Sequence, residues 1–112
     1  MNDSILSTRD GDIATITLNR PDKLNALNRG MWEGLGETIR LLSANDSLRC
    51  IVLRGAGGKA FAAGADIAEF ATERANARQA KHYGDLIHAT MQAVAQCRHP
   101  TVALIEGACV GG

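Results

Sequence analysis

Two stretches of this sequence are nearly bare of side chains, and bare backbone can do chemistry. Ala62-Ala63-Gly64-Ala65 closes a long turn that begins at Arg54, and Gly107-Ala108-Cys109-Val110-Gly111-Gly112 forms a second turn. A ligand approaching either one meets main-chain N–H groups directly. Preorganised donors of that kind are what a developing oxyanion needs. A helix is predicted to begin at Asp66 or Ile67, so amides near Ala65 would point from a helix N-terminus toward negative charge. Two N–H groups from separate turns would hold one carbonyl oxygen better than either alone.

The side chains offer fewer candidates. Glu33 and Glu37 stand four apart on a helical pattern and read as a solvated face. Asp66 is placed to cap the helix that follows it. Glu106 ends a strand and is expected to pair or face water. His82 and His88 are six apart, off a common helical face, with no partner Cys or carboxylate at ligand spacing, so no metal site is expected. His99 precedes Pro100 and belongs to a helix stop. Cys109, in the second turn, would become reactive if a helix N-terminus lowered its pKa. Trp32 and Tyr83 lie on helical patterns and are expected in the core or an interface.

The elements that must position these turns follow from periodicity. Ile5–Arg9 and Ile13–Leu18 are β-like runs separated by Asp10-Gly11-Asp12, a tight hairpin because Gly accepts positive φ. Asn19-Arg20-Pro21-Asp22-Lys23 breaks the second run. Asn28 can cap a helix whose apolar positions, Met31, Leu35, Ile39 and Leu42, recur down to about Ala44. Gly34 and Gly36 weaken it by roughly 1 kcal/mol each, so packing must hold it. Cys50–Arg54 reads as a buried parallel strand. A longer helix spans about Asn76 to Cys97, with Ala80, Leu86 or Ile87, Met91 and Val94 on one stripe. Thr101–Ile105 is predicted as another buried strand. Hairpin, helix, strand, helix and strand in this order predict an α/β layer with right-handed crossovers. In such sheets ligands lie at the carboxyl ends of the strands, where both turns fall.

Composition narrows the classes further. The 112 residues suffice for one small domain, and the 46% of apolar residues support a core built from Ala, Ile, Leu and Val, aromatics being 4%. Lys plus Arg and Asp plus Glu number 12 each, so no basic stripe points to nucleic acid or a membrane surface. The polar opening MNDSILSTRDGD lacks a signal-peptide layout, and no apolar run nears the roughly 20 residues of a membrane span. Three cysteines without a CxxC pair suggest reduced thiols and a cytoplasmic location.

Three segments carry a resemblance: ITLNRPDKLNALN (Ile16 to Asn28), RCIVLRGAGGKAFAAGADIAEF (Arg49 to Phe70) and HPTVALIEGACVGG (His99 to Gly112). In order and interval they resemble the crotonase, or enoyl-CoA hydratase/isomerase, superfamily, over nearly the whole chain. KAFAAGADI is specific for that superfamily without separating its members. The resemblance implies a ββα spiral, with residues 1–112 as the N-terminal portion of a single domain, assembled as trimers or hexamers. It implies binding of acyl-CoA thioesters, with coenzyme A as part of the substrate and no separate cofactor. By motif match the oxyanion donors would be the amides of Ala65 and Gly112. Lys23, Leu24, Ala26, Ala63, Gly64, Ala65, Asp66, Ile67 and Gly111 would contact the substrate, Lys23 as a point charge beside a phosphate. The same resemblance makes Cys109 a small packing residue and Glu69 a secondary acidic candidate. Hydratases of the family handle protons with two glutamates whose positions match nothing up to Gly112. These 112 residues alone are therefore expected to show little or no turnover in a hydration assay. The resemblance implies an enoyl-CoA hydratase, adding water to 2-enoyl-CoA thioesters, as the parent activity. A non-catalytic, CoA-binding or self-associating piece, or another activity of the superfamily such as an isomerase, is the alternative.

Overall fold

The computed structural model describes residues 3–73 and 75–112. Strands β1 (Ile5–Asp10) and β2 (Ile13–Leu18) form the expected antiparallel hairpin, Ile5 opposite Leu18. In β2 the two-residue period separates faces: Ala14, Ile16 and Leu18 are buried, whereas Thr15 and Thr17 are half-covered.

Helix α1 (Arg29–Ser43) starts where the sequence says it should. The Asn28 side chain accepts the Met31 N–H at 2.9 Å, satisfying a donor that the first turn would otherwise leave open. Its buried face, Met31, Leu35 and Ile39, packs on Ile16 and Leu18 of β2 and Ile51. Each such side chain taken from water contributes about 1.5–3 kcal/mol.

Strand β3 (Cys50–Gly55) lies parallel to β2, and β5 (Thr101–Leu104) lies parallel to β3, giving the order β1-β2-β3-β5. The crossovers are the helical segments α1 and, between β3 and β5, the four-residue α2 (Phe70–Glu73) and the long α3 (Ala77–Ala95). Asn76 caps α3 by accepting the Gln79 N–H at 2.9 Å. Tyr83 and Thr90 are its buried residues, with Leu86, Ile87, Met91 and Val94 half-covered against the same core. Where α1 and α3 cross, a Cβ on Gly36 would sit 3.0 Å from Thr90 Oγ1, and that hydroxyl donates to the Trp32 carbonyl at 2.8 Å. The helix-weakening glycine is thus a point of close approach between the two helices. Trp32 and Tyr83 are core residues, 4% and 2% exposed, as their helical positions suggested.

Two expectations need correction. Thr101–Ile105 is a strand but not a buried one: every residue of β5 is exposed, Val102 to 49% and Leu104 to 44%. Among the described residues β5 has β3 as its only sheet neighbour, and an apolar run does not reveal whether its faces are covered. The turn read from Arg54 to Ile67 also contains a strand. Strand β4 (Ala60–Ala62) pairs in parallel with β6 (Ala108–Cys109) in a separate two-stranded sheet. That small sheet carries both glycine-lined turns.

Candidate functional site

The chain leaves β3 through Gly55, where a Cβ would lie 2.5 Å from the carbonyl oxygens of Ala60 and Phe61. Only a hydrogen fits, so the chain doubles back and β4 runs close under the end of β3. From β4 it reaches Ala63, Gly64 and Ala65, where Ala65 forms an isolated parallel bridge with Leu27. Leu27 N–H donates to the Gly64 carbonyl at 2.8 Å, and Asp66 N–H donates to the Leu27 carbonyl at 2.9 Å. Because the groups flanking Ala65 face Leu27, its own N–H faces the opposite way. That amide donates to no other described residue.

The second turn arrives from β6. Val110 N–H donates to the Ala62 carbonyl at 3.0 Å, continuing the β4–β6 pairing to the glycines. Gly64 and Gly111 then meet backbone to backbone. A Cβ on Gly64 would be 3.1 Å from the Val110 carbonyl oxygen, and one on Gly111 would be 3.1 Å from the Gly64 Cα. Both glycines have positive φ, 97° and 76°. Ala65 and Gly112 each follow one of these glycines, so two turns 47 residues apart in sequence present neighbouring amides. The Gly112 amide, like that of Ala65, has no acceptor among the described residues.

The helix after Ala65 does not play the part expected of it. Ile67–Glu69 is a single 3₁₀ turn leading into the four residues of α2, too short for an appreciable dipole. The bridge to Leu27, not a helix N-terminus, leaves the Ala65 amide open. Asp66 caps that turn by accepting the Ala68 N–H at 2.9 Å, as its position suggested. Its other oxygen takes a 2.8 Å bond from Arg20 Nη1, which also donates to the Ala26 carbonyl at 3.1 Å.

These contacts set the segment Lys23–Ala26 beside Ala63–Ile67, the two groups of residues the sequence nominated as a substrate wall. Lys23, Leu24 and Ile67 are exposed, Ile67 to 76%, and Ala26, Ala63 and Asp66 are half-covered. Leu24 and Asn25 both hold positive φ, 52° and 57°. Two residues of this region escaped the sequence reading. Arg20 and Asn25 bond to partners 5 to 46 positions away, and loop chemistry in NRPDKLN was their only visible signal.

An apolar cavity of about 240 Å³ adjoins Gly112, lined by Leu53, Phe61, Met91, Val94 and Ala103 among others. A larger groove of about 630 Å³ lies elsewhere, walled by Glu33, Glu37 and Glu69. Three carboxylates make it a poor host for a polyanion. Glu33 and Glu37 are exposed, Glu33 pairing with Arg29 at 3.1 Å. Glu69 accepts the Arg29 N–H at 2.8 Å, holding the 3₁₀ turn before α2 to the start of α1. Glu106 pairs with Arg54 at 3.4 Å, and Cys109 is exposed within β6. His99 Nε2 lies 2.9 Å from the Asn45 carbonyl, bracing the end of the α3 crossover. Among the described residues no helix is long and apolar enough to cross a membrane.

Charge responds to this geometry. The Arg20 guanidinium, hydrogen-bonded to Asp66, holds its carboxyl below the ordinary value against some loss of hydration, helped by the Ala68 N–H and by Lys23. Folded Asp66 therefore binds a proton less readily than the unfolded chain does. Its stabilisation is complete above the ordinary Asp value and is lost as pH falls through the depressed one. Glu69 works in the opposite sense, its pKa raised chiefly by burial. Asp66→Asn is expected to remove part of the acid-side loss of stability. Urea midpoints from about pH 6 down to about pH 3 would show a shallower decline than the parent chain. An unchanged slope would mean that the Arg20 pair contributes nothing.

Comparison with known proteins identifies the family. Residues 13–112 match the family described as Enoyl-CoA hydratase/isomerase. A crystal structure of an enoyl-CoA hydratase/carnithine racemase from Magnetospirillum magneticum is 52% identical with a TM-score of 0.94, over 99% of this chain and 42% of that one. The mitochondrial Delta(3,5)-Delta(2,4)-dienoyl-CoA isomerase of Mus musculus is 37% identical over 87% of this chain and 32% of its own length. The short-chain-enoyl-CoA hydratase of Clostridium acetobutylicum is 29% identical over 97% of this chain and 41% of its own. The chain thus spans well under half the length of these proteins. With its α/β fold and paired glycine turns, the chain belongs to the enoyl-CoA hydratase/isomerase family.

Proposed function

We propose that this chain supplies the thioester-holding part of an enoyl-CoA hydratase-type lyase, which adds water across the 2,3-double bond of an enoyl-CoA. The observation that carries the reading is the backbone contact of Gly64 with Gly111, which makes neighbours of two amides that have no acceptor among the described residues. In this reading the Ala65 and Gly112 N–H groups hold the thioester oxygen as negative charge grows on it in the enolate. Each such donor is worth about 10²–10³ in rate. The acyl chain enters the apolar cavity beside Gly112. The CoA portion lies along Lys23, Leu24 and Ala26 and along Ala63, Asp66 and Ile67, with the Lys23 ammonium toward a phosphate. No cofactor beyond the substrate's own coenzyme A is part of the proposal. Proton transfer to and from carbon falls to glutamates outside these 112 residues, and homo-oligomeric assembly in the cytoplasm completes the picture.

An enolate is also the intermediate of double-bond migration, so the named isomerase relative makes that reaction the second reading. The two share everything described above. Calorimetry with acetoacetyl-CoA, whose enolate resembles the intermediate, against free CoA tests the common part. Tighter binding of acetoacetyl-CoA, by about tenfold or more, is expected. Equal affinity would remove the oxyanion site.

A further inference from the structure

We infer that Asn25 is a positioning residue, whose buried carboxamide sets where the Ala65 and Gly112 amides stand relative to each other. The inference rests on the reading of those amides as oxyanion donors.

Asn25 is 0% exposed, yet it is polar and sits in a connecting loop. Its side chain makes three hydrogen bonds. Oδ1 accepts the Arg20 N–H at 2.9 Å, and Nδ2 donates to the carbonyls of Ala56 at 3.0 Å and Ala60 at 2.9 Å. Both amide hydrogens are used, and the orientation is unambiguous, because a flipped amide would set oxygen against two carbonyls. One side chain therefore joins three stretches of backbone: the loop after β2, the exit from β3 and the first residue of β4.

Each stretch leads to an oxyanion donor. The loop continues two residues to Leu27, which grips Gly64 and Asp66 and leaves the Ala65 N–H open. Strand β4 begins at Ala60, the residue Asn25 holds, and its pairing with β6 through Ala62 and Val110 delivers Gly111 and Gly112. Asn25 stands where the two paths diverge. The loop is also under strain at this point, since Leu24 precedes it at φ 52°, a conformation unfavourable for a bulky residue. Strain of this kind persists where surrounding contacts over-determine the backbone. An apolar residue could fill the same space; three directed bonds need the carboxamide.

The test uses Asn25→Asp, which keeps the shape but turns the donor end into an oxygen facing two carbonyl oxygens. A second variant, Asn25→Gly, removes the side chain and tolerates the positive φ. For the 112-residue chain and each variant, affinity for acetoacetyl-CoA and for free CoA is measured by calorimetry, with circular dichroism to establish folding. The expected result is a fall of about tenfold or more in the preference for acetoacetyl-CoA over free CoA, with CoA affinity falling by less than acetoacetyl-CoA affinity. A folded variant that keeps the parent's preference overturns the inference and leaves the proposed function standing. Equal losses for both ligands, or failure of both variants to fold, overturn it in favour of a purely structural asparagine. A parent chain without any preference overturns the proposed function, and this inference with it.

Discussion

Gly107→Ala is expected to destabilise the chain by about 3 kcal/mol, the largest effect of any single methyl group in the site. Gly107 opens the second turn with φ 76°, and a Cβ there would overlap the backbone carbonyl of Lys59. Backbone cannot swing aside as a flexible side chain can. The same carbonyl accepts the Ala108 N–H at 3.2 Å, so moving it loosens the first rung of β6. Gly58→Ala supplies the control, because Gly58 has a similar φ of 74° with nothing within 4 Å of an added Cβ. It should cost only the conformational part, about 1 kcal/mol. The difference between their urea midpoints measures the clash itself, and equal midpoints would deny the close approach of β6 to Lys59.

Gly64→Ala carries the largest expected effect on binding. Its Cβ would press on the Val110 carbonyl at 3.1 Å from a φ of 97°, driving the second turn away from the first. Affinity for acetoacetyl-CoA should fall by about tenfold or more while free CoA binds nearly as before. Gly111→Ala attacks the same contact from the other side, its Cβ 3.1 Å from Gly64 Cα. Residues in direct contact are not additive, so the double variant should lose less than the two single losses combined. Strict additivity would mean that the two glycines act separately.

These expectations show what the sequence makes legible. The hairpin and α1 were readable because periodicity and capping are local: Ile16 and Leu18 alternate with threonines, and Asn28 stands one residue before the helix. The glycine turns were visible as composition, and the resemblance joined them. Strands β4 and β6, three and two residues long, are too short to show any period. The exposure of β5 depends on what covers it, which no apolar run encodes. The sequence points to a helix terminus as what opens the Ala65 amide, whereas the opening comes from a bridge to Leu27, 38 positions earlier. The Arg20–Asp66 pair and the Asn25 Nδ2 bonds are likewise tertiary, joining segments 31 to 46 positions apart that no local pattern connects.

The most direct test of the paired donors is amide resonance in the ¹⁵N-labelled chain, titrated with acetoacetyl-CoA and, separately, with free CoA. Acetoacetyl-CoA is expected to move the Ala65 and Gly112 amide protons downfield together, in proportion to occupancy, while CoA alone leaves both nearly in place. If acetoacetyl-CoA binds and either proton stays where it was, the two glycine-lined turns do not share one acyl oxygen.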